Sequence, residues 1–169
     1  MGTGVQPVFV WIALGSNQGD RFKNMQDARF FLNSISESII VSSSLFETAP
    51  VGPADKPFYN AVIRLSTCET PETLLRLLKD YETAYGRDMM APRWSNRIID
   101  LDIIAMEKVQ IQLDWLQIPH KEYSKRQFVL VPLQEIEPKW SDPVSNKHIT
   151  EMLLHAPEGF ITKLPLSWT

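Results

Sequence analysis

The chain has 169 residues, 44% of them hydrophobic, and a pI near 5.6, which is enough apolar content for a single domain over residues 1–169 with its own core. A net charge of −3 argues against a general nucleic-acid binder, which needs a basic face for phosphates, and the single Cys68 argues against a disulfide scaffold and fits a reducing compartment. Met1 to Pro7 lacks the basic and apolar runs of a signal peptide, and stretches such as Val8 to Leu14 fall far short of the roughly 20 residues that span a bilayer, so a cytoplasmic monomer without membrane contact is expected.

Val8 to Leu14 is rich in β-formers and runs into Gly15-Ser16-Asn17, the composition of a strand leaving through a sharp turn. From Asp20, the apolar residues Phe22, Met25, Ala28, Leu32 and Ile35 recur at helical spacing. Ser38 to Phe46 and Asn60 to Thr67 read as two further strands, joined by a loop stiffened by Pro50, Pro53 and Pro57. Cys68 is read as a small half-buried hydrophobe at the end of the second of these. Thr70 as N-cap and Pro71 at the first helical position open a second helix with a stripe of Leu74, Leu78, Tyr81 and Tyr85, closed by Gly86. Ile99 to Met106 is a strand, Pro119 interrupts the pattern, and Phe128 to Ile136 fits a short helix. The order β-α-β-β-α-β with C-terminal additions predicts an α+β, ferredoxin-like fold, an antiparallel sheet with two helices packed on one face.

Ile99-Asp100-Leu101-Asp102-Ile103 carries the sharpest chemical signal. A strand sends alternate residues to one face, so both carboxylates point the same way, roughly 6 to 7 Å apart. Such a pair repels itself unless a cation lies between, and Mg²⁺ takes one or two carboxylates with water and phosphate oxygens around the rest of its shell. An isolated pair of this kind is more often a solvated acidic face. Here it follows directly on Arg87-Asp88-Met89-Met90-Ala91-Pro92-Arg93-Trp94-Ser95-Asn96-Arg97, a segment without apolar periodicity whose arginines offer planar forks of donors for phosphate. The neighbourhood favours phosphoryl chemistry, and the segment Arg87 to Asn96 has the composition of a lid. The cluster around His120 and Arg126 is ambiguous by itself, because a lone histidine is more often structural. Thr48 to Asn60 offers an aromatic and an amide able to hold a flat heterocycle, or is merely a surface loop.

Taken together, these segments resemble the 6-hydroxymethyl-7,8-dihydropterin pyrophosphokinases of folate biosynthesis. The resemblance runs through Ala13-Leu14-Gly15-Ser16-Asn17, Ser43 to Gly52, Phe58-Tyr59-Asn60-Ala61-Val62, Arg93-Trp94, Arg97 to Ile103, and Pro119-His120 with Arg126, Phe128, Val131, Pro132 and Leu133. It implies transfer of diphosphate from ATP to the hydroxyl of hydroxymethyl-dihydropterin, with release of AMP. It also implies two Mg²⁺ ions on Asp100 and Asp102, and a pterin surrounded by Thr48, Val51, Phe58, Asn60, Trp94 and Phe128 with Asp100 nearby. ATP would meet Glu82, Arg87, Arg93, Trp94, Arg97, Ile103, His120 and Arg126, with Glu82 and Ile103 nearer the nucleoside and Arg87 and Arg97 serving catalysis. The chain departs from the family pattern at Ala49, Met89, Ser95-Asn96, Ile98 and Lys121. Two other readings of the carboxylate strand and fold are a two-metal nucleotidyltransferase, which would release pyrophosphate, and a ferredoxin-like RNA-binding module, which would show a basic rim.

Overall fold

The computed structural model describes residues 4–86, 90–93 and 95–169. Its centre is β1 (Val8–Ser16), flanked by β4 (Phe58–Thr67) and β5 (Asp100–Met106), both antiparallel to it. β2 (Val41–Ser42) and β3 (Phe46–Thr48) pair with the far side of β4, and β8 (Ile161–Lys163) adds to β3. The sheet order β5-β1-β4-β3-β8 is the ferredoxin-like order extended by one C-terminal strand.

Alternation along β1 decides what covers each face. Val10, Ile12 and Leu14 meet α1 (Arg21–Ser34) and α2 (Pro71–Ala84) through Met25, Ala28, Leu32, Leu74 and Leu78. Asp20 caps α1 by accepting from the Lys23 amide at 3.0 Å, and Thr70 caps α2 by accepting from the Thr73 amide at 3.2 Å. Gly86 ends α2 at φ 88°, a backbone angle that glycine adopts without strain. Trp11 and Ala13 face the other way with Val62 and Ala105. Those apolar side chains also need cover, so a second layer forms from α3 (Gln127–Ile136) and α4 (Ile149–His155), contributing Val129, Leu130, Leu133, Ile149 and Met152. The two expected helices therefore share one face, and the C-terminal additions cover the other. A two-stranded ribbon, β6 (Ile111–Gln112) and β7 (Gln117–Ile118), leads into a 3₁₀ turn at Tyr123–Lys125.

Two local expectations are corrected. Ser38 to Phe46 is not one strand: the Ser43 hydroxyl accepts from the Val62 amide at 3.0 Å, while the Ser43 carbonyl turns to Trp168 Nε1 at 2.8 Å, so the ladder to β4 stops there. Cys68 is exposed, because β4 has ended and the chain is turning toward α2; its thiol donates to the Val5 carbonyl at 3.3 Å. The expected stripe on α2 holds, with Tyr81 and Tyr85 partly buried against the core of Leu74 and Leu78 and Phe31 stacked on Tyr81 at 4.3 Å, and Glu82 is a further fully buried side chain of this helix. Among the described residues no helix is long and apolar enough to cross a membrane.

Glu82 docks α2 onto β5, accepting from the Leu101 amide at 2.7 Å and from Lys79 Nζ at 2.9 Å. Truncation would strand both donors. Glu82→Ala is therefore expected to lower unfolding free energy by about 2 to 3 kcal/mol, read from the urea midpoint, and an unchanged midpoint would refute this structural role.

Candidate active site

The site is laid out by strand register. Gly15 lies opposite Asn60 on one neighbour and opposite Asp100 on the other, and Ala13 likewise lies between Val62 and Asp102. The two carboxylates thus share a face of β5, two residues apart, with the smallest side chains of β1 beside them. A Cβ at Gly15 would come 3.2 Å from Asn60 Oδ1 and 3.6 Å from the Phe58 ring, so glycine keeps the floor open. Beyond Asp102, β5 carries a bulge: Ile103 pairs with Ile12 whereas Ala105 pairs with Trp11, leaving Ile104 as the extra residue.

Over this floor is a cavity of about 220 Å³. At one end it is lined by Thr48, Val51, Phe58, Asn60 and Phe128, at the other by Arg93, Arg97, Asp100, Asp102, His120 and Arg126. Asn60 and Thr48 are both buried, and the Asn60 amide donates to Thr48 Oγ1 at 2.6 Å, which fixes its orientation before any ligand arrives. The Arg126 guanidinium lies 5.7 Å from the Phe128 ring centroid, joining the two ends. Burial works against its positive charge and lowers its pKa, with opposing support from Asp102, Glu122 and Asp100.

His120 donates its backbone N–H to the Ile104 carbonyl at 2.8 Å, and its Nδ1 accepts from the Glu122 amide at 3.1 Å. That network assigns the proton of the neutral ring to Nε2. Burial pushes its pKa below the ordinary value, against the attraction of Asp102. Tyr123 forms part of the wall and is held by Asp142 Oδ1 at 2.6 Å; burial raises its pKa, so the phenol stays neutral.

Asn17 reads from sequence as no more than a turn residue, yet it organises one side of the site. Its buried side chain accepts from the Arg97 amide at 2.6 Å and donates to Asn96 Oδ1 at 2.8 Å and to the Lys56 carbonyl at 3.0 Å. Asn96 in turn donates to Asp55 Oδ1 at 2.7 Å. One amide therefore ties the arginine segment to the proline-rich loop, and Asn96 does so at a position where the chain departs from the family pattern. Lys79 was also missed: its Nζ lies 3.6 Å from Asp102 Oδ1.

Two expected ATP residues are not on the cavity. Ile103 belongs to the core beneath the sheet, because strand alternation places it with Leu101 and leaves Ile104 on the cavity face with Asp100 and Asp102, and Glu82 is wholly buried under β5. Arg87 and Trp94, with Asp88 and Met89 of the expected lid, lie outside the described residues. Among the described residues no group of three or more His, Cys, Asp or Glu gathers as a metal cage. The donor set is two hard carboxylates beside cationic groups, which fits Mg²⁺ arriving with phosphate oxygens rather than a structural zinc.

A ferredoxin-like sheet bearing paired carboxylates and arginines at one end of a cavity, and an oriented amide with aromatics at the other, has the layout of a phosphotransferase for a flat acceptor. The chain belongs to the 7,8-dihydro-6-hydroxymethylpterin-pyrophosphokinase family, whose profile matches residues 11–138. It is an ATP-dependent pyrophosphokinase that transfers diphosphate to hydroxymethyldihydropterin in folate biosynthesis. A 2-amino-4-hydroxy-6-hydroxymethyldihydropteridine pyrophosphokinase of Pseudomonas aeruginosa is 35% identical over 158 residues, 92% of this chain and 96% of that protein. A folate synthesis bifunctional protein of Arabidopsis thaliana is 41% identical over 128 residues, 75% of this chain but 26% of the plant protein. The fold is shared with the Plasmodium falciparum HPPK-DHPS structure with pterin and p-hydroxybenzoate at a TM-score of 0.68 and 17% identity, covering 89% of this chain and 43% of that one. The chain thus spans about a quarter of the plant relative and less than half of the parasite chain.

Because burial holds the His120 pKa below the ordinary 6.5 of a histidine, the unfolded chain binds this proton more readily than the folded one. The stability linked to the neutral ring is fully present above pH 6.5 and is lost as pH falls through the depressed folded value. Thermal melts between pH 7 and 5 should show a smaller loss for His120→Gln than for the parent; parallel curves would refute the shift.

Proposed function

We propose that the diphosphate transfer takes place in this cavity, with the pterin at the Asn60 end and the ATP phosphates at the arginine end. The observation that carries the reading is the row Asn60, Gly15, Asp100 across three adjacent strands. Neighbouring strands lie about 4.8 Å apart, so Asn60 and Asp100 are separated by roughly 10 Å across a side-chain-free floor. A bicyclic ring read at its edge by Asn60 and Thr48 spans much of that distance, which brings its hydroxymethyl arm toward Asp100. Phe58 and Phe128 supply stacking faces, Val51 closes the rim, and Trp94 is assigned to the same end by family resemblance.

Arg93, Arg97 and Arg126 are assigned to the phosphates, where guanidinium forks offset charge that spreads over the transferring group. Arg87 joins them by resemblance. His120, neutral and carrying its proton on Nε2, serves as a hydrogen-bond donor rather than as a base. Asn17 holds the Arg97 backbone, so alignment of the attacking hydroxyl, the β-phosphorus and the leaving AMP oxygen rests partly on its amide. Asp100 and Asp102 would hold Mg²⁺, two ions in this reading; when bound, the metal neutralises phosphate charge and makes the hydroxyl more acidic. We further take residues 1–169 as a single domain working as a cytoplasmic monomer.

Incubation with ATP, Mg²⁺ and hydroxymethyldihydropterin should yield AMP and the pterin diphosphate on chromatography. Asp100→Asn and Asp102→Asn should each lower kcat by roughly 100-fold or more with unchanged melting temperatures, and near-parental turnover in either folded variant would remove both carboxylates from the reaction. Asn60→Ala should weaken pterin binding by about 1 to 3 kcal/mol while leaving binding of a non-hydrolysable ATP analogue unchanged in calorimetry. Equal losses for the two ligands would count against Asn60 as the reader of the pterin edge.

A further inference from the structure

We propose that Lys79 is a built-in counter-cation for Asp102 that keeps the carboxylate pair from loading with free divalent metal and reserves it for metal arriving on the triphosphate. The inference rests on the assignment of Asp100 and Asp102 as the metal-holding pair. Lys79 belongs to α2, on the far side of the sheet from the cavity, and it reaches Asp102 around the outer edge of β5. At that edge the Leu101 N–H donates to Glu82 Oε1 at 2.7 Å and the Leu101 carbonyl accepts from Lys79 Nζ at 3.1 Å, so two side chains of one helix satisfy a backbone edge that has no partner strand among the described residues. Lys79 Nζ also donates to Glu82 Oε1 at 2.9 Å and forms an ion pair with Asp102 Oδ1 at 3.6 Å.

The ammonium is pinned rather than swinging free. Withdrawing it would remove one partner of a carboxylate with no solvent exposure and uncover a backbone carbonyl, both costly. It approaches from the edge of the strand, whereas His120 and Arg126, which also act on Asp102 electrostatically, line the cavity where phosphates are assigned. Binding of ATP therefore has no reason to displace it. Two carboxylates on one strand face attract any divalent cation, and a fixed positive charge beside one of them weakens that attraction. When metal arrives on a triphosphate, phosphate oxygens complete the shell and the neighbouring cations act on the phosphates as well, so the penalty is specific to free metal.

Mn²⁺ serves as the probe, titrated into the nucleotide-free protein and followed by the electron paramagnetic resonance of free Mn²⁺. Lys79→Met alone would leave Glu82 without its ammonium partner, so the test pairs it with Glu82→Gln. Lys79→Gln, whose amide can still donate to Glu82 and Leu101, is the single-site version. Lys79→Gln should bind Mn²⁺ about tenfold more tightly than the parent, as expected for loss of one charge next to a half-exposed site, and the double variant, which also loses the Glu82 charge, should gain less. Lys79→Arg should stay near the parent. Adding Asp102→Asn should erase the gain. Equal Mn²⁺ affinity in the parent and Lys79→Gln would overturn the proposal, as would a gain that survives Asp102→Asn. Production of AMP by the parent with Mg²⁺, ATP and the pterin is measured alongside: a parent that turns over with no change in Mn²⁺ affinity refutes only the role of Lys79, whereas a parent without turnover refutes the site assignment itself.

Discussion

The pairing of β1 with β4 and β5 is the constraint on which everything else depends. Through it, Gly15 separates Asn60 from Asp100 and Ala13 separates Val62 from Asp102. Because side chains alternate across a strand, a slip of one residue would send both carboxylates into the apolar layer beneath α1 and α2 and bring Leu14 and Leu101 up to the cavity. The two cores oppose that slip together: Val10, Ile12 and Leu14 are committed to one layer, and Trp11 and Ala13 to the other. The positions of the polar residues are thus enforced by burial of apolar ones.

The bulge in β5 refines that arrangement. It leaves Asp100 and Asp102 in regular alternation against Gly15 and Ala13, then inserts Ile104 so that Ala105 still meets Trp11. The outer edge of the strand is finished by side chains and a loop: Glu82 and Lys79 at Leu101, and the His120 amide at the Ile104 carbonyl. A site at the edge of a sheet is thereby protected from pairing with another chain while remaining open to a ligand above it.

Much of this was legible in the sequence because it rests on periodicity and capping. Asp20, Thr70, Pro71 and Gly86 mark the ends of the two helices by local chemistry alone, and the parity of Asp100 and Asp102 follows from strand geometry. What escaped depended on partners distant in sequence. Ser43 breaks a β-rich segment because its hydroxyl and carbonyl are claimed by Val62 and Trp168. Glu82 reads as a surface residue on a helix, yet it is buried because Leu101 offers an unpaired amide. Ile104 and Ala105 both join the layer of Trp11 through a bulge that no local pattern announces. Asn17 looks like a turn residue, and only the folded chain brings Arg97, Asn96 and Lys56 around it.

The seating of β8 on β3 bears on the order in which the molecule can be assembled. Thr48, at the heterocycle end of the cavity, lies on β3 opposite Ile161, the Ala49 amide donates to the Phe160 carbonyl, and the Trp168 indole reaches the Ser43 carbonyl 125 residues away in sequence. Contacts that close such long loops carry the greatest chain-entropy cost and contribute only after intervening segments are ordered. A chain emerging from the ribosome can therefore form β1, β4 and β5, with both carboxylates in place, before it can brace the wall beside Asn60. The side of the cavity formed by Asp100 and Asp102 depends on strands within residues 8–106, whereas the side beside Thr48 also needs residues 160–168.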